Sequence, residues 1–152
     1  KEVILLEASI FTKQFVIFKL DNEEYGIDIL RVKEIKEMMS ITRIPKAAHY
    51  VRGVINLRGE VIPVIDLRKR FNLDEGNEDD NTRIIIVSVD DIVVGLIADY
   101  SSEVVEISSN AIEEAPDGAG TVDRNYISGI GKVGERLIIL LDVVKLITNP
   151  AA

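Results

Sequence analysis

The chain has 152 residues, the size of one ordinary domain, and 47% of them are hydrophobic, which is enough for a substantial core. It has no cysteine, which excludes disulfides, thiol nucleophiles and thiolate metal sites, and no apolar run approaches the roughly 20 residues of a membrane span. The net charge of −8 arises in the second half, and this acidic balance argues against nucleic acid, whose phosphates favour clustered Lys and Arg.

The first predicted elements are two strands joined by a polar turn. Residues 15–20 are rich in β-formers, and Asp21-Asn22-Glu23 supplies the turn. Residues 24–30 alternate between polar and apolar side chains, which is the period of a half-buried strand. Residues 31–39 are compatible with either a helix or an irregular strand.

A hairpin is predicted after Pro45. Residues 53–59 and 60–66 form its strands and turn near Arg58-Gly59, because Gly adopts a positive φ at little cost. Pro63 cannot donate a ladder hydrogen bond, which predicts a sheet edge or a bulge. Asp66 is a suitable N-cap for a short helix, and an acidic linker over residues 73–81 follows it.

The second half of the chain repeats the first. The segment Gln14-Phe-Val-Ile-Phe-Lys-Leu-Asp21 is matched by Arg83-Ile-Ile-Ile-Val-Ser-Val-Asp90, and further matches are Gly26 with Gly95, Tyr50 with Tyr126, Gly53 with Gly129, and Asp66 with Asp142. Such self-similarity predicts two similar units, about 14–73 and about 82–148, between which strands or the terminal helix can exchange. The many short strands with frequent turn signals predict an all-β fold of closed or nearly closed barrels.

Three patterns in the sequence resemble chemical sites. Gly129-Ile-Gly131-Lys-Val-Gly134 matches a nucleotide-binding fingerprint, but an apolar strand follows it instead of the helix that the fingerprint needs, which favours a hairpin. The acidic residues 74–80 lack the ligand spacing of a calcium loop and are interpreted as a solvated linker. His49 has no accompanying nucleophile motif. The sequence therefore predicts no catalyst.

Apolar surface is the more informative signal. Residues 61–65 are apolar at every position, so both faces of that strand are apolar. Such a strand is either enclosed in a core or presented to a partner.

Several segments resemble the motifs of one family, the chemotaxis coupling proteins of the CheW type. They are Glu24-Tyr-Gly-Ile-Asp-Ile-Leu30, Val32-Lys-Glu-Ile35, and Arg52-Gly-Val-Ile-Asn-Leu-Arg-Gly59 running into Val61-Ile-Pro-Val-Ile-Asp-Leu67, and the resemblance extends from about Gln14 to Thr148. It implies two small SH3-like five-stranded β-barrels around a shared hydrophobic core, with short helices. It also implies no enzymatic activity, no cofactor and no metal.

The resemblance further implies a cytoplasmic adaptor, associated with membrane receptor arrays through its partners. Those partners are the cytoplasmic helices of methyl-accepting chemoreceptors and the regulatory domain of the histidine kinase CheA, with no nucleic acid and no direct membrane insertion. The implied receptor-facing residues, near the groove between the barrels, are Val32, Glu34, Arg58, Gly59 and Val61. The implied partner-contact positions of the second unit are Thr82, Arg83 and Val104, and Arg83 departs from the apolar residue common in the family.

Two other functions are compatible with the sequence. One is a ligand-binding barrel or an enzyme that uses the groove, although no convergent polar cluster supports it. The other is a CheW-like regulatory domain excised from a larger signalling protein, such as the C-terminal domain of CheA or a CheW–receiver fusion.

Overall fold

A computed structural model of the chain describes residues 10–116 and 124–148. The described chain is mostly β-strand, as predicted, and its strands are β1 (Thr12–Leu20), β2 (Glu23–Asp28), β3 (Val32–Glu37), β4 (Val51–Leu57), β5 (Glu60–Asp66), β6 (Arg83–Val89), β7 (Ile92–Ala98), β8 (Tyr100–Ser108), β9 (Ile112–Glu113), β10 (Ile127–Val133) and β11 (Arg136–Leu141). Two short helices, α1 (Leu67–Arg70) and α2 (Val143–Thr148), follow β5 and β11. The ambiguous segment after residue 30 is the end of a 3₁₀ turn followed by a strand.

The strands form two sheets, and each sheet draws strands from both halves of the chain. The six-stranded sheet has the order β8-β1-β2-β11-β10-β9, and the five-stranded sheet has the order β3-β6-β7-β5-β4. The glycine-rich segment Gly129–Gly134 lies in β10 and its turn, so the predicted hairpin is confirmed.

Strand registers in the two halves correspond residue by residue. Val64 of β5 lies beside Gly95 in a parallel pair, and Leu140 of β11 lies beside Gly26 in the other parallel pair. The antiparallel pairs correspond as well. Glu37 lies opposite Arg83 where β3 pairs with β6, and Glu106 lies opposite Gln14 where β8 pairs with β1. These are the correspondences that the repeated glycine and aspartate spacing predicts.

The closed barrels expected from the sequence are not formed, and this expectation is corrected. In the described part of the chain, β3 and β4 end the five-stranded sheet, and β8 and β9 end the six-stranded sheet, without backbone pairing between the ends. The last hairpin of each half pairs instead with a strand from the other half. The backbone groups that would close a barrel within one half are therefore already hydrogen-bonded to the other half.

Pro63 lies within β5, at a position where no backbone N–H is needed for pairing. β5 is an interior strand, flanked by β7 and β4, and not the predicted edge. The alternative prediction of a bulge is confirmed, because the register of β4 against β5 shifts between Val51 and Gly53, beside Val64. Val54, which lies opposite Pro63, exchanges both of its backbone hydrogen bonds with Thr42 on its other side. In an antiparallel ladder this makes Val54–Pro63 a non-hydrogen-bonded pair, and pairing with β7 begins only at Val64. The missing N–H therefore interrupts neither ladder.

The helices begin in the same way in both halves. The Asp66 carboxylate accepts from the backbone N–H of Lys69, and the Asp142 carboxylate accepts from that of Lys145. The backbone N–H groups of both aspartates donate to the carbonyls of Tyr50 and Tyr126, each at 2.8 Å.

A single arginine joins these two tyrosines. The Arg70 guanidinium lies 4.9 Å from the ring centre of Tyr50 and 4.5 Å from that of Tyr126, and it donates to the Tyr126 hydroxyl at 2.6 Å. Cations held over aromatic faces in this way are attracted by the ring quadrupole. Arg70 therefore ties corresponding points of the two halves together.

Three apolar clusters fill the described part of the fold. A central core combines residues of both sheets and both helices, among them Phe18, Tyr25, Ile85, Leu96 and Leu146. A second cluster lies within the five-stranded sheet and includes Ile62, Val64 and Ile86. The third lies within the six-stranded sheet and includes Ile17, Ile138 and Leu140, which are the corresponding residues. The shared core implied by the family resemblance is therefore present.

Two glycines of the β4–β5 hairpin provide a test of this packing. Gly53 has a φ of +151°, and a Cβ there would lie 2.2 Å from the Thr42 carbonyl oxygen. Gly59 has a φ of +88° but open space around it. We expect Gly53→Ala to reduce the free energy of unfolding by about 3 kcal/mol or more, since overpacking is added to backbone strain. Gly59→Ala should cost only about 1–2 kcal/mol. Chemical denaturation of both variants measures this, and equal losses would show that Thr42 moves aside freely.

Candidate functional site

The tip of the β4–β5 hairpin presents the first group of predicted site residues. Arg58 and Gly59 both have positive φ, +51° and +88°, which is the backbone of a type I′ turn. The Asn56 side-chain oxygen accepts from the Gly59 backbone N–H at 2.9 Å and holds the turn. The sequence Asn56-Leu-Arg-Gly59 thus fixes a tight turn that projects an arginine into solvent.

Arg58 reaches across to β3 and pairs with Glu34. Arg58 Nη1 lies 3.4 Å from Glu34 Oε1, and Nη2 makes a shorter contact with Oε2, so the pair is bidentate. The Arg58 side chain is 69% exposed, whereas that of Glu34 is 28% exposed and also lies 3.6 Å from Lys36 Nζ. The hydrogen bonds from Arg58 hold the pKa of Glu34 below its usual value.

This ion pair links the two ends of the five-stranded sheet. Glu34 belongs to β3 at one end, and Arg58 lies at the turn of β4 at the other end. Side chains therefore connect ends that the backbone leaves unpaired. An exposed pair of this kind contributes little to stability, because water and salt screen it.

Two apolar residues of the predicted site lie within three positions of the pair along the chain. Val61, three residues after Arg58 on β5, is 71% exposed, while Val32 at the start of β3 is half-buried against the central core. The structure thus brings Glu34 and Arg58 into contact and places Gly59 and Val61 on the same hairpin. Together the five residues Val32, Glu34, Arg58, Gly59 and Val61 form what we term the hairpin site.

The second group of predicted residues is divided by the structure. Val104 is 49% exposed on β8, which ends the six-stranded sheet, whereas Thr82 is only 5% exposed and Arg83 is half-buried at the start of β6 in the five-stranded sheet. In this conformation Thr82 is not available for a direct contact. The structure does not gather these three residues into one surface.

The repeat identifies counterparts of these residues that the motifs alone do not indicate. Leu137, which is 62% exposed, is the counterpart of Val61, because it lies opposite Lys132 in its hairpin as Val61 lies opposite Asn56. Ile35, which is 42% exposed, is the counterpart of Val104, because it lies opposite Ile85 as Val104 lies opposite Val16. Glu103 of β8, which pairs with Arg136, corresponds to Glu34 of β3. The repeated spacing was the signal that could have found these positions.

The structure also bears on His49 and on possible metal and membrane sites. His49 is exposed in a loop, with its ring 5.6 Å from that of Tyr50 in an edge-on contact. Within residues 10–116 and 124–148, no group of three or more His, Cys, Asp or Glu side chains could hold a metal ion. No described helix is long and apolar enough to cross a membrane.

Comparison with known proteins gives a consistent result. Residues 14–151 match the family model described as the CheW-like domain. The chain is 42% identical to chemotaxis protein CheW of Klebsiella aerogenes, covering 90% of this chain and 82% of that protein. It is also 42% identical to CheW of Bacillus subtilis, covering 86% of this chain and 83% of that protein. The crystal structure of the scaffolding protein TtCheW from Thermoanaerobacter tengcongensis superposes with a TM-score of 0.82 at 40% identity, over 90% of this chain and 88% of that one.

The Glu34–Arg58 pair makes a prediction about titration. We expect Arg58→Gln to raise the pKa of Glu34 back to the usual range of a glutamate, because the hydrogen bonds from Arg58 are the main cause of its depression. Since the folded pKa is depressed, any stability from the pair is present above the unfolded value of about 4.3 and is lost as the pH falls through the folded value. NMR titration of the Glu34 carboxyl measures this. An unchanged pKa in the variant would show that the pair is not formed in solution.

Proposed function

Since the chain belongs to the family of proteins with a CheW-like domain, we propose that it is a non-enzymatic chemotaxis adaptor that couples chemoreceptor cytoplasmic tips to the histidine kinase CheA and lets receptor state control kinase activity. The observation that carries the proposal is the hairpin site. It combines an exposed bidentate ion pair with an exposed valine on the same hairpin as its arginine.

The hairpin site suits a helical receptor partner. An amphipathic helix is held by apolar anchors, and the charged side chains at the rim set its register. Val61 and Val32 provide the apolar contacts in this proposal, and Arg58 and Glu34 provide the rim charges. Because an exposed pair adds little to stability, its chemistry is better suited to binding a partner than to folding.

The kinase-facing surface is proposed for the second half. Val104 is the exposed candidate there, on a strand whose outer side carries no backbone partner in the described chain. Exposed strand ends of this kind are favoured places for protein association. We place the adaptor in the cytoplasm, at membrane receptor arrays, since both proposed partners act there. The two units at about 14–73 and about 82–148 are likewise proposed as its structural halves.

The proposal predicts a specific loss in one variant. We expect Arg58→Asp to weaken binding to a receptor cytoplasmic tip, and to weaken it most at low salt, where charge interactions are least screened. Binding of the CheA regulatory domain and the melting temperature should change little, because Arg58 is an exposed rim residue. Calorimetric titration with each partner and a thermal melt measure all three.

Lys132→Asp is the matched control. Lys132 forms an exposed ion pair with Glu113 at 2.7 Å, on the corresponding hairpin of the second half, so the charge change and the broken pair are comparable. The control should retain receptor binding. If Arg58→Asp loses kinase binding instead of receptor binding, the two faces are assigned the wrong way round. A large fall in its melting temperature would make Arg58 a structural residue.

A further inference from the structure

The linker between α1 and β6 is held against two arginines. Arg52 Nη1 lies 2.5 Å from Glu78 Oε1, while Nη2 of the same side chain lies 3.0 Å from the buried Asp66 carboxylate. Arg68 Nη1 donates to the Asp74 carbonyl at 2.7 Å. Both contacts fix residues that lie outside helices and strands.

Gly76 fits this contact because it has no side chain. A Cβ at Gly76 would lie 2.5 Å from Arg68 Cζ and 2.7 Å from Arg68 Nε. The Arg68 guanidinium is itself fixed, since Nε lies 2.8 Å from Asp99 Oδ1 and Nη2 contacts both Asp99 and Asp21. The arginine therefore cannot move aside without breaking these pairs, and the linker can lie against it only at a glycine.

The linker also encloses Thr82 and orients Arg83. The Asp79 backbone N–H donates to Thr82 Oγ1 at 3.0 Å, and the Thr82 N–H donates to the Asp79 carbonyl at 3.1 Å. Arg83 Nη1 donates to the Asp80 carbonyl at 2.7 Å and to the Thr82 carbonyl at 3.0 Å. Thr82 thus closes the linker, and the closed linker holds Arg83.

We propose that residues 74–81 form a latch, closed on Arg52 and Arg68, that holds Arg83 at the start of β6 for a kinase contact separate from that of Val104 on β8. Thr82 is then a positioning residue that acts through the latch and does not touch the partner. The family resemblance implies that Thr82 contributes to partner binding, although it is only 5% exposed. An indirect role through the latch accounts for both. It rests on the proposed function for its binding consequences, whereas the latch itself can be tested on the free protein.

The first measurement is amide hydrogen exchange of the full chain. Gly76→Ala should open the latch and speed the exchange of the Asp79 and Thr82 amides by about two- to tenfold, the equivalent of losing one hydrogen bond. Asn77→Ala, a change of the neighbouring residue, is the control and should leave both amides protected. Glu78→Gln should speed exchange, because it removes the ion pair with Arg52, whereas Glu75→Gln removes the same charge and should not. Unchanged exchange in both Gly76→Ala and Glu78→Gln would overturn the latch.

The second measurement separates positioning from contact. Thr82→Val keeps the shape of the side chain but removes the hydroxyl, and should weaken binding of the CheA regulatory domain about two- to tenfold, whereas Thr82→Ser should retain it. In a Gly76→Ala background the latch is already open, so Thr82→Val should cause no further loss. Additive losses in this double-mutant cycle would show that Thr82 contacts the partner directly and would overturn the assignment. Failure of the unmodified chain to bind the domain would count against the proposed function, and the exchange results would still decide the latch.

Discussion

The fold depends on a reciprocal exchange of strands between its two halves. β5 of the first half pairs in parallel with β7 of the second, and β11 of the second pairs in parallel with β2 of the first. Both contacts centre on a glycine, and a Cβ there would already touch the partner strand, at 3.4 Å from Val64 for Gly95 and 3.0 Å from Leu140 for Gly26. Neither half can complete its sheet alone. The central core, which both sheets line, and the Arg70 contact with the two tyrosines follow from this exchange.

The exchange of strands also determines which strands form the ends of the two sheets. It pairs the inner strands on both sides and leaves β3, β4, β8 and β9 as the ends of the described sheets. Charged residues occupy these ends, and in both halves a glutamate of the end strand pairs with an arginine of a hairpin, Glu34 with Arg58 and Glu103 with Arg136. Charged side chains discourage uncontrolled strand addition. Exposed Val104 lies next to Glu103 on the end strand β8, and exposed Val61 lies on the same hairpin as Arg58, so we propose that these surfaces accept specific partners.

Much of the fold followed from local chemistry. The spacing of Gly26, Gly53 and Asp66 and of their counterparts predicted the repeated units, and Gly59 predicted the turn. The Asp66 N-cap was also correct. The exchange of strands was not predictable in detail, because alternation along one strand does not specify which distant strand lies beside it. The burial of Thr82 was missed for the same reason: it depends on a linker folding back onto Arg52 and Arg68, which are far from it in sequence. In the hairpin site, residue types were predictable from the motif, but the Glu34–Arg58 contact required the structure.

We propose that one chain presents separate surfaces to a receptor and to a kinase. Simultaneous binding tests this most directly. A receptor cytoplasmic fragment is immobilised and saturated with the chain, and the CheA regulatory domain is then added while the chain remains in solution at its saturating concentration. If the two surfaces are separate, we expect additional bound mass and an affinity for the kinase domain close to that of the chain alone. Competition, in which the kinase domain releases the chain from the receptor fragment, would contradict it.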